Sequence, residues 1–264
     1  MKQCYPICLL LLLAACTPAV QEPAGPRLVW GDEFDYVGLP DSTRWTYEVG
    51  YIRNRELQYY TARRAENARV EGGVLVIEAR RDSAWIDSAL RPITSASLTT
   101  QGIQDWTYGR IEVRARVPLA LGSWPAAWML GSHIDEVGWP RCGEIDIMEH
   151  VGYMPDTFHF NIHTQAFNHT IGTNKGDKAY AADATSGFHV FAVDWDSAHM
   201  VFSLDSMAVF TFDKPSDDPA EWPFDTPAYL ILNLAFGGTW GGSRGVDTTA
   251  LPIRYEVDYV RVYQ

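Results

Sequence analysis

Residues 110–117 read Arg-Ile-Glu-Val-Arg-Ala-Arg-Val. Every second residue is apolar, and a period of two is the mark of a strand with one face in a core and one in water. Similar short runs recur at 74–79, 188–195, 200–205, 229–235 and 255–263, separated by Gly, Pro, Asp and Ser. No long amphipathic helix interrupts them. Many short strands without intervening helices predict an all-β fold, an antiparallel β-sandwich of jelly-roll type with a concave cleft for substrate.

Between these runs, 143–150 reads Gly-Glu-Ile-Asp-Ile-Met-Glu-His. In a regular strand Glu144 and Asp146 share a face, whereas Glu149 points the other way. One bulge near Met148 would shift the later residues by one step and bring all three acids to one surface. Crowded carboxyls resist joint ionisation, so one pKa rises and a proton is kept. Retaining glycoside hydrolysis needs that division of labour, an ionised carboxylate as nucleophile and a protonated one as acid. The ordinary meaning of Glu-x-Asp is a solvated strand edge. Here the acids alternate with Ile145 and Ile147, and Trp124, Trp128, Trp139 and His163 stand nearby in sequence.

The chain has 264 residues, 47% hydrophobic and 20% charged, which suits one domain with a large core. An apolar run to Leu13, then Leu-Ala-Ala-Cys, reads as a lipoprotein signal over 1–15 with Cys16 as the lipidated residue. A Pro- and Ala-rich tether follows over 16–27, and the folded domain is expected over 28–264. The expected location is the bacterial cell envelope, with the protein exported and lipid-anchored, the outer membrane favoured. Cys142 would then be the sole remaining thiol, read as a packing residue. A formal charge of −12 disfavours nucleic acid and anionic lipid and leaves a neutral polymer as the easier partner.

Aromatic residues make up 13% of the chain. Those beside Gly and Pro, namely Trp124 and Trp128 in 122–128, Trp139 in 138–140 and Trp240 in 237–242, are expected in loops, stacking against sugar rings. His159 and His163 are four apart, a zinc spacing on a helix; in a strand they stand about 13 Å apart, too far for one ion. His163 is a candidate to bond Glu149 or a sugar hydroxyl, or simply a structural histidine.

The sequence resembles glycoside hydrolase family 16, and within it the bacterial laminarinases, which are endo-acting β-1,3-glucanases. The resemblance runs from Trp30-Gly31-Asp32-Glu33-Phe34 through 54–61, 108–118, 124–130, 139–152, 162–176 and 229–242 to the C-terminal VDYVRVYQ. It implies Glu144 as nucleophile, Asp146 as the acid that tunes it and Glu149 as general acid/base. It also implies glucan contacts at Asn54, Glu56, Trp124, Trp128 and His163. A structural calcium is implied on the carbonyls of Glu33 and Gly73 and the carboxylate of Asp258. Catalysis needs no cofactor, the partner is β-1,3-glucan, the membrane enters only through the lipid anchor, and the chain is expected to be a monomer. The segment 131–138 and the pair Phe160-Asn161 depart from the family pattern and bear on fine substrate preference. Two other readings remain open, a hydrolase of mixed-linkage glucan, agar or porphyran, and a glucan-binding protein without catalysis.

Overall fold

The computed structural model describes Met1 and residues 25–264; the expected leader beyond Met1, the lipidated Cys16 and most of the tether lie outside the described residues. Among the described residues, two sheets pack face to face. One holds ten strands. Its central path runs from Met207–Asp213 through His199–Leu204, His189–Trp195, Gly109–Arg116, Ile253–Tyr263 and Val74–Ile86 to Ala89–Ser95. The other holds seven, in the order Lys175–Tyr180, Thr157–His163, Glu144–His150, Ser123–Gly131, Ala228–Phe236, Ser97–Thr99 and Thr46–Glu48. Pairing is antiparallel throughout the second sheet. In the first, one short parallel contact joins Tyr59–Tyr60 to Ala89–Ser95.

The alternating run behaves as expected. Ile111, Val113 and Ala115 are buried in the core between the sheets. Their neighbours face outward into ion pairs, Arg110 with Asp194 and Glu112, and Arg116 with Glu256. Sandwich cores form this way because each sheet can bury only one face, and the polar alternates must then find water or opposite charge.

One element departs from the reading. Trp124 and Trp128 lie in a strand, Ser123–Gly131, at the centre of the seven-stranded sheet, instead of a loop. Pro125 suggested a break because it donates no backbone hydrogen bond. Yet pairing with Glu144–His150 runs only as far as Ala126 opposite Glu149, so the proline sits past the end of that ladder, where a missing N–H is tolerated. The strand is buried on both faces, which removes the polar alternation that would have identified it.

Candidate active site

The outward face of the seven-stranded sheet floors a cleft of about 970 Å³. Period two explains its lining. In Thr157–His163, Phe158, Phe160 and Ile162 enter the core, while His159, Asn161 and His163 face the cleft. In Ser123–Gly131, Ala127 and Met129 face inward and Trp124 and Trp128 outward.

The strand Glu144–His150 breaks this rhythm where expected. Asp146 pairs with Trp128 and Met148 with Ala127, so Ile147 and Met148 share one step of the neighbouring strand. Both of these side chains are fully buried in the core. A straight strand would instead turn Met148 outward and bury Glu149 among apolar groups. Burying one such hydrocarbon side chain contributes about 1.5–3 kcal/mol, and an unpaired carboxylate in a core costs far more. The bulge therefore wins, and Glu144, Asp146 and Glu149 all line the cleft.

Each acid has its own partners. Trp139 Nε1 donates to Glu144 Oε2 at 2.8 Å. Glu149 accepts from Trp124 Nε1 at 3.1 Å on one oxygen and from Asn161 Nδ2 at 3.2 Å on the other. Asp146 is 2% exposed and its Oδ2 accepts no hydrogen bond. His163 Nε2 lies 3.4 Å from Asp146 Oδ2 and 3.7 Å from Glu144 Oε1. The expected bond from His163 to Glu149 does not form. Register sets Glu144 opposite His163 and Glu149 opposite His159.

Burial, then charge repulsion among the three, lifts every carboxyl of the cluster. Glu144 is pushed up to about 8 by burial and by Asp146, and Glu149 to about 7 by burial and by Glu144. Asp146 is raised well above the carboxylate range by burial and by Glu149. The cluster thus holds protons near neutrality, and its macroscopic steps belong to the group rather than to one residue. His163, the Trp139 N–H and Arg53 each pull Glu144 back toward its ionised form.

A second polar network supports the floor. Trp128 Nε1 donates to Asn233 Oδ1 at 2.8 Å, Asn233 Nδ2 to the Tyr60 hydroxyl at 2.9 Å, and Tyr60 to Glu56 Oε2 at 3.1 Å. Glu56 also accepts from Gln58 at 2.7 Å and from Asn54 at 3.3 Å. Asn54 and Glu56 line the cleft, with Glu56 committed to these bonds. Trp240 closes one end in a turn, edge-on to Trp124 at 5.4 Å and to His159 at 5.0 Å. Ile134, from the short helix Ile134–Val137, reaches the cleft, so the 131–138 segment forms part of a wall.

The description "Glycosyl hydrolases family 16" matches residues 56–261. This chain belongs to glycosyl hydrolases family 16. A β-glucanase of Rhodothermus marinus is 49% identical to the family 16 chain over 247 residues, 90% of this chain and 85% of that protein. The X-ray structure of the laminarinase from the same organism superposes with a TM-score of 0.86, covering 91% of this chain and 99% of that one at 49% identity. A mutant of SCLam, a non-specific endo-β-1,3(4)-glucanase of family 16, gives a TM-score of 0.87 at 47% identity over 92% of this chain and 96% of its own. That crystal presents a 1,3-β-D-cellobiosyl-glucose at its active site.

Reading the sequence missed several cleft residues of the family 16 chain: Glu48, Arg53, Asn161, Tyr229 and Asn233. Asn161 was within reach, because alternation alone puts it on the face of His159 and His163. Arg53 was not, since the ring it covers, Trp128, comes from a distant segment. Cys142 is buried and its thiol is pushed up to about 11 by burial, as a packing residue requires. Glu33 and Gly73 lie beside the ten-stranded sheet and Asp258 within it, in Ile253–Tyr263. The donors are oxygens, which suit a hard cation, but Asp258 Oδ2 accepts from Arg114 Nη1 at 2.5 Å. A cation there has to displace the guanidinium.

Proposed function

We propose that the protein is an endo-acting β-1,3-glucan hydrolase of laminarinase type that works with retention of configuration. The observation that carries this reading is the Ile147–Met148 bulge, which sets Glu149 on the cleft face beside Glu144 and Asp146. In this assignment Glu144 attacks the anomeric carbon while Glu149 gives its proton to the departing glycosidic oxygen. Glu149 then takes a proton from water, which releases the glucan from Glu144. Asp146, raised well above the carboxylate range by burial and by Glu149, shares the cluster's protons and tunes the nucleophile beside it. His163 sits next to both and orients them or a sugar hydroxyl.

The similarity to a β-glucanase, a laminarinase and an endo-β-1,3(4)-glucanase supports the same substrate class. Trp124, Trp139 and Trp240 offer rings to the sugar, and Asn54 stands at the wall. Product analysis on laminarin, curdlan, lichenin and agarose tests the reading. Short β-1,3-linked oligosaccharides from laminarin are expected, with the β-anomer released first. Cleavage of agarose alone, or binding of laminarin without products, would overturn it.

The same proposal places the enzyme at the bacterial cell envelope, exported and anchored through lipid on Cys16, acting as a monomer. Catalysis uses no cofactor. A structural calcium, held by the carbonyls of Glu33 and Gly73 with Asp258, belongs to the proposal as an exchange with Arg114.

A further inference from the structure

Trp128, expected to stack against sugar rings, does line the cleft. It is 7% exposed, and the Arg53 guanidinium carbon lies over the ring at 4.8 Å. A side chain that covers an aromatic face in a sugar cleft replaces that face as the contact surface. Arg53 is ion-paired to Glu48, on the edge strand Thr46–Glu48, and both line the cleft. Ser97 Oγ fixes the far oxygen of Glu48 at 2.6 Å. The Nη1 of Arg53 is buried and has no hydrogen-bond partner. The loop carrying Arg53 is held in shape by Asn54 and Arg55, both left-handed with φ of 55°.

We propose that the Arg53–Glu48 pair is a specificity-determining contact of the cleft, which selects an uncharged sugar by offering a cationic donor and an anionic acceptor side by side. The argument rests on the glycan-hydrolase reading of the cleft. A hydroxyl-bearing ring can donate to Glu48 and accept from Arg53 at once, and neither charge is left uncompensated. A sugar bearing carboxylate or sulfate satisfies Arg53 but is repelled by Glu48. The pair therefore rejects anionic glycans through Glu48, and Arg53 alone would accept them.

The test measures binding in the Glu144→Gln background by calorimetry, using a β-1,3-glucan hexasaccharide and a carboxymethylated β-1,3-glucan as probes. Arg53→Ala is expected to weaken hexasaccharide binding about tenfold. Glu48→Gln, which leaves Arg53 unbalanced, is expected to raise the preference for the carboxymethylated probe by about tenfold. Removing one partner of a buried pair can unfold a protein, so Arg53→Ala/Glu48→Ala is measured as well, and it should weaken hexasaccharide binding without gaining anionic preference. Folded variants that bind both probes like the parent would overturn this inference while leaving the hydrolase reading intact. A parent that binds neither probe would overturn both.

Discussion

Trp124 Nε1 donates to Glu149 Oε1 at 3.1 Å, tying the floor of the cleft to the residue assigned as acid and base. A donor stabilises the ionised carboxylate, so its removal raises the pKa. Trp124→Phe keeps a ring but loses the N–H. The alkaline limb of the kcat/KM profile is expected to move up by about one pH unit, since a hydrogen bond to a charged group contributes roughly 1.5–3 kcal/mol. An unmoved limb would show that this bond does not tune Glu149.

Glu149→Gln cannot pass a proton to the leaving oxygen. Its kcat on laminarin should fall by about 10²–10⁴-fold, the range that general acid–base catalysis supplies. Glu144→Gln removes the attacking group and should leave under roughly 1% of activity. Circular dichroism of both variants should match the parent. Appreciable turnover by either one would sink the assignment.

Deleting Met148 removes the extra step from the bulge. Glu149 then follows Ile147 directly, four residues after Glu144, and a straight strand keeps it on the cleft face. Activity on laminarin should therefore survive, while loss of the buried Met148 side chain lowers the melting temperature by several degrees, as the loss of about 2 kcal/mol does in a domain of this size. Assays of activity and thermal unfolding read both effects.

The acid cluster makes stability depend on pH with a definite sign. Glu144 and Glu149 titrate higher in the fold, at about 8 and about 7, than in the unfolded chain. The native state therefore binds more protons, and stability falls as pH rises from the ordinary carboxylate range through these values. Glu149→Gln removes one such group. Its melting temperature should exceed the parent's by several degrees at pH 8 and by less at pH 5, from a contribution of about 3 kcal/mol. Equal differences at the two pH values would contradict the cluster's raised proton affinity.

In the proposed calcium site the cation would have to compete with Arg114 for Asp258. Arg114→Ala frees the carboxylate, so millimolar calcium should raise its melting temperature more than it raises the parent's, and EDTA should reverse the gain. Identical responses in the two proteins would count against the site.

Much of this was legible in the sequence. Alternation over 110–117 and 255–263 foretold two-faced strands, because one face of each is solvated and takes charged residues. The bulge was legible too, since the spacing of Glu144, Asp146 and Glu149 cannot fit one face of a straight strand. The strand Ser123–Gly131 was not, as it is buried on both sides and carries no alternation. Nor was the neighbour of His163, because parity gives a residue's face and only register gives its partner.

The sequence by itself determined the all-β class, the three acids and their need for a bulge, all of which follow from local periodicity. Tertiary structure decided which side chains meet across strands: Asn161 on Glu149, His163 on Asp146, and Arg53 with Glu48 over Trp128. The last of these joins Glu48 and Arg53, neighbours in sequence, to Trp128 from a distant strand. No pattern along the chain encodes such a contact, because it is fixed by sheet order and the energetics of sharing one core.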